Sequence, residues 1–326
     1  MRKSAYLLDP MVASFTQWMS GVIAGKRAIN MRCGVAKHYK FLHDAHWAYA
    51  WPLAANNGPH DPALISEFPR DARFTLPRNS DLNANDAVLL RLQRGLRAAV
   101  RSGEDPAPWV AAVLVWGGVY RGDIGAKPVR TGNRTWLHAN RAAMSQVLLQ
   151  TQRELCNGTD HIRSAHLKQP LRFNSGMTKV YALLGHNFII YDSRVAAALA
   201  WLAVKWAGEA HARNCAPPAL LRFGCMRPNE GRQGKRSKLR NPDAEVFGYL
   251  NYRDPASHAM WNVRASWVLA RSLAIARRNG RTRLRKLRDI EAALFTMGYD
   301  LTPAIPARQA RQERSPGAGE CSASWG

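Results

Sequence analysis

A lysine and an aspartate thirteen positions apart, Lys179 and Asp192, are the residues of this chain best placed to do covalent chemistry. They lie in the run from Asn174 to Leu199, which divides into turn, helix, turn and helix. Ser175 and Gly176 form the first turn, so the amides of Met177, Thr178 and Lys179 are expected to point toward an anion at that helix end. A phosphodiester would fit there, held by Ser175, Gly176 and Thr178. The positive end of the helix dipole and nearby cations would lower the pKa of Lys179 and free a nucleophilic amine. The interval to Asp192 allows a helix of about three turns and a return, which brings the carboxylate back to the lysine. An amine beside a carboxylate can attack an electrophilic carbon and form a Schiff base, with the carboxylate activating the amine or stabilising developing positive charge. The plainer reading makes Lys179 an exposed first-turn lysine and Asp192 a helix N-cap, and spacing alone favours it.

The elements that must hold these residues are helices. Val88, Leu89, Leu92, Leu96 and Val100 recur at helical spacing between Asp86 and Arg101. A buried helix runs from Trp109 to Trp116 and stops at Gly117-Gly118, and a third spans Ala139 to Leu155. Residues 192–207 form a buried helix opened by Asp192. Two later stripes, Trp261 to Leu273 and Leu284 to Leu294, close the fold. Asn187 to Tyr191 is a short strand candidate, and the class is mainly α. Residues 222–243 form a basic loop without apolar periodicity, and a Pro-, Arg- and Ser-rich tail over 303–326 is expected to be disordered beyond a helical domain of 1–302.

The charge is far from ordinary. Lys and Arg total 47 against 23 Asp and Glu, a net charge of +24, which makes a polyanion, and nucleic acid first among polyanions, the natural partner. Part of the arginine excess is what a GC-rich coding sequence would give. Five cysteines, none in a CxxC pair, imply thiols rather than a disulfide framework or metal site. Neither a metal nor a cofactor is expected. Asp9, Pro10, Gln17 and Lys26 interrupt any leader or membrane span, which implies a cytoplasmic, soluble protein with no membrane partner, and a monomer is expected.

The strings Ser175 to Tyr181 and Ile190 to Leu199 resemble the lysine-to-aspartate core of the helix-hairpin-helix DNA glycosylase superfamily, most of all its bacterial 8-oxoguanine DNA glycosylase OGG-fold branch. Supporting similarity at Trp116 to Val119 and Arg288 to Tyr299 extends the likeness over about residues 110–300, with sharp motifs only at 174–199. The resemblance implies a helical glycosylase-like fold with a DNA cleft between two lobes. It gives Lys179 the Schiff-base role and Asp192 the activating role, and it implies excision of an oxidised or otherwise modified base followed by strand cleavage. Such an enzyme serves base excision repair or defence against phage DNA with modified bases. The chain departs from the family in having only Gly176 where Gly-x-Gly is usual, and in lacking the four-cysteine motif of the iron–sulfur members.

A glycosylase needs walls for a flipped base. Trp116, Trp136, Trp261 and Trp267 are candidates, with His186 and Tyr191 favoured by proximity. Arg194 reaches either a phosphate or Asp192, and Arg232, Lys235, Arg236, Lys238 and Arg240 could lie along phosphates. Two rival classes are a non-catalytic helical DNA-binding protein and a tyrosine recombinase. The second rests on Leu183 to His186 and on His138 with Arg141, whose spacing argues against it.

Overall fold

The computed structural model describes residues 1–27, 82–122, 131–167, 169–210, 215–228, 238–279, 282 and 286–304. Ten α-helices appear among them: α1 (Lys3–Leu8), α2 (Pro10–Ile23), α3 (Leu82–Ser102), α4 (Ala107–Trp116), α5 (Asn133–Ala139), α6 (Met144–Leu155), α7 (Met177–Leu184), α8 (Ser193–Ala210), α9 (Pro255–Arg278) and α10 (Leu287–Met297). The mainly α class expected from the sequence holds. No helix among the described residues is long and apolar enough to cross a membrane.

The helices pack in two groups. α1 and α2 lie with α8, α9 and α10, while α3 to α7 pack on one another. One hydrophobic core is continuous through both. In the first group the Phe15 ring meets Trp206 edge-on at 5.6 Å and Phe223 at 6.1 Å, and Tyr6 lies 5.9 Å from Trp267. In the second, α3 presents Gly95 to the Trp109 ring of α4 so closely that an added Cβ would fall 2.1 Å from it. Glycine is there because the helices approach, not because the backbone needs its freedom.

Several boundaries differ from expectation for local reasons. The helix foreseen from Ala139 to Leu155 starts later, at Met144: Ala139 is the last residue of α5, which was not foreseen, and a 3-10 turn at Arg141–Ala143 leads into α6. Asn140 donates its side-chain amide to Trp136 O at 2.8 Å, the kind of local bond that competes with helix propagation. α1 and α2 were not foreseen, although Asp9 and Pro10 are a cap and first-turn pair. Asp9 Oδ1 accepts from the amides of Met11 and Val12, and Pro10 starts α2. Residues 305–326 of the expected tail lie outside the described residues, and at its start Thr302–Ala304 forms a 3-10 turn.

The strand foreseen from Asn187 to Tyr191 is corrected. The segment is buried at 189–191 but pairs with no strand among the described residues. Side chains do the work of a ladder. The amides of Ile189, Ile190 and Tyr191 donate to Ser266 Oγ (3.1 Å), Glu291 Oε2 (2.9 Å) and Thr178 Oγ1 (2.9 Å). The carbonyls of Ile189 and Tyr191 accept from Asn262 Nδ2 (2.9 Å) and His258 Nε2 (3.0 Å). Buried backbone groups must be paired, and here α7, α9 and α10 supply the partners.

Glu154, at the end of α6, organises the chain leading to α7. Its carboxylate accepts from the backbone amide and guanidinium of Arg163, from Asn157 and from His166. Burial pushes this carboxyl up, but Arg163 and His166 more than offset it and hold the pKa at about 2, below the ordinary 4.5.

Two outcomes are expected. Asn262→Ala orphans Ile189 O and removes the partner of Thr178, so urea unfolding should show a loss of about 3 kcal/mol, given ~1–3 kcal/mol per stranded buried group. The stabilisation from ionised Glu154 is fully present above its ordinary pKa of 4.5 and lost as pH falls toward about 2. Glu154→Gln should therefore be less stable at neutral pH and show a shallower acid decline over that window, read by thermal melts.

Candidate active site

Lys179 and Asp192 come together at the seam between the two helix groups. Lys179, on the first turn of α7, donates from Nζ to Ser175 O at 2.9 Å and lies 3.5 Å from Asp192 Oδ2. Both side chains are nearly out of solvent, at 6% and 8% exposure for the whole residues. The route between them is shorter in helix than expected. α7 ends at Leu184, about one and a half turns past Lys179, and the rest of the return is the extended segment just described.

α7 is fixed at both ends. Arg97 of α3 donates to the carbonyls of Leu183 and Gly185, both at 2.8 Å, and Gln152 of α6 to Leu184 O at 3.1 Å. At the start, Asn174 Oδ1 accepts from the amides of Gly176 (2.8 Å) and Met177 (3.0 Å). Thr178 N donates to Asn174 O and Lys179 N to Gly176 O. The expectation that these amides await a phosphate is therefore corrected, because the turn satisfies them internally. Gly176 is buried, and an added Cβ would fall 2.2 Å from Asn133 Nδ2. Thr178 is also buried, donating to Asn262 Oδ1 and accepting from Tyr191 N, so its hydroxyl is committed to positioning the return segment.

Asp192 does two jobs. Its Oδ1 caps α8 by accepting from the amides of Arg194 (3.0 Å) and Val195 (3.2 Å), while Oδ2 faces Lys179. Burial pushes the Asp192 carboxyl up, but Lys179, Arg194, the Val195 amide and Arg240 together hold it below the usual range. For Lys179, burial is the largest influence and pulls the pKa down; Asp192 opposes it, and Arg194 and Arg288 add to the lowering. The net arrangement is an ionised carboxylate facing an amine that gives up its proton more readily than an ordinary lysine.

Gly117, just past α4, makes this possible. A Cβ there would fall 2.4 Å from Lys179 Cδ and 2.7 Å from Cε, so the lysine stem runs through the space a side chain would fill.

The pair opens onto a cavity of about 250 Å³. Trp116 and Phe295 give it aromatic walls, and Arg121, Arg194, Arg227, Arg240 and Arg288 make its surroundings strongly basic. Ser175 lies in the wall and donates to Met226 Sδ at 3.2 Å. Glu291 is engaged elsewhere, holding Ile190 N and Arg288.

The remaining predicted residues fall as follows. Arg194 lines the cavity and lies 4.2 Å from the Phe295 ring centre. Lys238 sits over Tyr299 at 3.9 Å. Arg240 is not on an open loop: it is 4% exposed and donates to Ser193 Oγ (2.6 Å) and Tyr299 O (3.2 Å), bracing the start of α8. Arg232, Lys235 and Arg236 lie outside the described residues.

Trp116 lines the cavity, half-buried. His186 is exposed and lines a neighbouring depression instead, since the turn after α7 carries it away from Lys179. Tyr191 is fully buried, with its hydroxyl donated to Gly224 O at 2.9 Å, so the expectation that it walls the pocket is corrected. His138 and Arg141 line a separate depression. Trp136, Trp261 and Trp267 do not line the cavity and pack on or in the core. Among the described residues no cluster of metal-ligating side chains occurs, and Cys156, Cys215 and Cys225 are free thiols.

Sequence reasoning missed Asn85, Gly117 and the polar residues behind the site. His258, Asn262 and Ser266 recur every four residues on α9, a polar stripe on its buried side, and that periodicity was the available signal. Compared with protein-family models, curated proteins and solved structures, the chain has no significant match.

The Lys179 amine should titrate below the ordinary 10.5 in an NMR pH titration of its side chain. Asp192→Asn removes the main influence holding that pKa up, so it should fall further. Gly117→Ala should displace the stem and move the pKa back toward 10.5.

Proposed function

We propose that this protein is a DNA glycosylase with abasic-site lyase activity, acting on an oxidised or otherwise modified base. The observation that carries the reading is the buried Lys179 amine, its pKa lowered, 3.5 Å from the Asp192 carboxylate in a small, arginine-rich cavity. A volume of about 250 Å³ suits one ring system rather than a drug-sized ligand, which needs roughly 300–1,000 Å³. The net charge of +24 supports a polyanionic partner. The sequence likeness at 174–199 points to the same chemistry.

In this reading the duplex gives up its target nucleotide to the cavity. The Lys179 nitrogen attacks C1′ of the sugar, the bond from C1′ to the base breaks, and the base leaves with the bonding electrons. Asp192 stabilises the positive charge that builds at C1′ and accepts the proton the attacking amine sheds. The sugar ring then opens to a Schiff base, which acidifies the C2′ proton; its loss expels the 3′ phosphate and cuts the strand. Arg121 and Arg227, exposed beside the cavity, are suited to phosphates of the same strand.

The test is a panel of duplexes bearing 8-oxoguanine, uracil, alkylated and glucosylated bases and a preformed abasic site, incubated with borohydride. A covalent adduct is expected with at least one duplex and none with Lys179→Gln. Asp192→Asn should slow excision by at least about 10²-fold, the scale of losing one charge-stabilising group. Trapping should rise with pH as the Lys179 amine loses its proton, beginning below the range of an ordinary lysine. DNA that is bound while every base and abasic site stays intact would overturn the proposal. The member of the panel that is cut separates a repair lesion from a phage-type modification.

A further inference from the structure

Asn85, on the first turn of α3, is fully buried and forms part of the wall of the same cavity. Its Oδ1 accepts from Trp116 Nε1 at 2.9 Å. An indole N–H can only donate, so Trp116 fixes which way the amide points. The other end, Nδ2, has no hydrogen-bond partner. A buried amide nitrogen without a partner is costly, and proteins rarely keep one without use. The surroundings add a second constraint. Lys179 and the five arginines outnumber Asp192 and Glu291, so the cavity disfavours a ligand carrying positive charge.

We infer that Asn85 is a specificity-determining residue that donates from Nδ2 to an acceptor atom of the ligand, so that the cavity takes a neutral ring bearing a carbonyl oxygen or unprotonated ring nitrogen and rejects a cationic one. The identification of that ring as a DNA base rests on the glycosylase reading; the donor does not. Trp116 then has two functions, an aromatic wall and the group that orients the donor. A site built around a buried donor discriminates strongly, because a ligand without the acceptor leaves the donor stranded.

The experiment measures binding without turnover. In the Lys179→Gln background, fluorescence anisotropy gives affinities for duplexes carrying 8-oxoguanine, uracil, cationic 7-methylguanine or an abasic analogue. The expected result is at least tenfold preference over the abasic duplex for one neutral, carbonyl-bearing base, and none for 7-methylguanine. Asn85→Asp keeps the acceptor for Trp116 but replaces the donor with an acceptor, and Asn85→Leu removes both; each should abolish the preference, with melting curves confirming folding. A preference unchanged in Asn85→Asp, a preference for 7-methylguanine, or no preference for any base would overturn the inference. Borohydride trapping with unmodified Lys179 fails or succeeds separately, so loss of this inference and loss of the glycosylase reading are told apart.

Discussion

The site depends on how three buried residues, Ile189 to Tyr191, satisfy their backbone. They form an extended segment with no neighbouring strand among the described residues, and five of their amide and carbonyl groups are met by side chains of α7, α9 and α10. The Thr178 hydroxyl is central, because it accepts from Tyr191 N and donates to Asn262, which itself holds Ile189 O. Thr178 directly precedes Lys179 and Tyr191 directly precedes Asp192. One hydroxyl therefore sets the separation of amine and carboxylate. A ladder would tolerate exchange of side chains, whereas this arrangement ties the geometry of the pair to the identities of Thr178, His258, Asn262, Ser266 and Glu291.

Burying an amine and a carboxylate together is costly unless both remain well partnered. Lys179 keeps the Ser175 carbonyl, and Asp192 keeps two amides through the oxygen that does not face the lysine. The charge of Lys179 is the largest single influence keeping the carboxylate ionised, but the two amides stay in place when the amine loses its proton. That division leaves the capping oxygen partnered in either state of the lysine. It also explains why capping α8 and pairing with Lys179 are compatible, since they use different oxygens of one side chain.

The sequence made the helices legible where their apolar stripes are long, as in α3, α8 and α9, because a core-facing helix must repeat near every 3.6 residues, and α4 was legible as a continuous apolar run stopped by glycine. It made Lys179 and Asp192 legible through their local strings and the turn between them. Their surroundings were hidden. Thr178 looked like a phosphate contact and Tyr191 like a pocket wall, since a single strand of text does not show that α9 passes behind both. Arg240 looked solvent-facing because it follows a basic run, yet Ser193 and Tyr299, from distant parts of the chain, enclose it. Gly117 read as a helix stop; only the path of the Lys179 stem shows that its missing side chain is the point.

His258 adds a final constraint on how the pair behaves. Its Nε2 lies 3.0 Å from Tyr191 O, and a carbonyl can only accept, so Nε2 carries the proton. Burial is the main reason its pKa is down at about 4; the bond to Tyr191 and the charge of Asp192 pull upward without restoring it, and Lys179 opposes them. The imidazole is therefore neutral throughout the neutral range. A histidine beside a lysine–carboxylate pair would ordinarily be the first suspect for any titration near pH 6.5. Here it is a fixed donor to the residue before Asp192, and a titration seen at this site above about pH 5 belongs to the Lys179–Asp192 pair, not to His258.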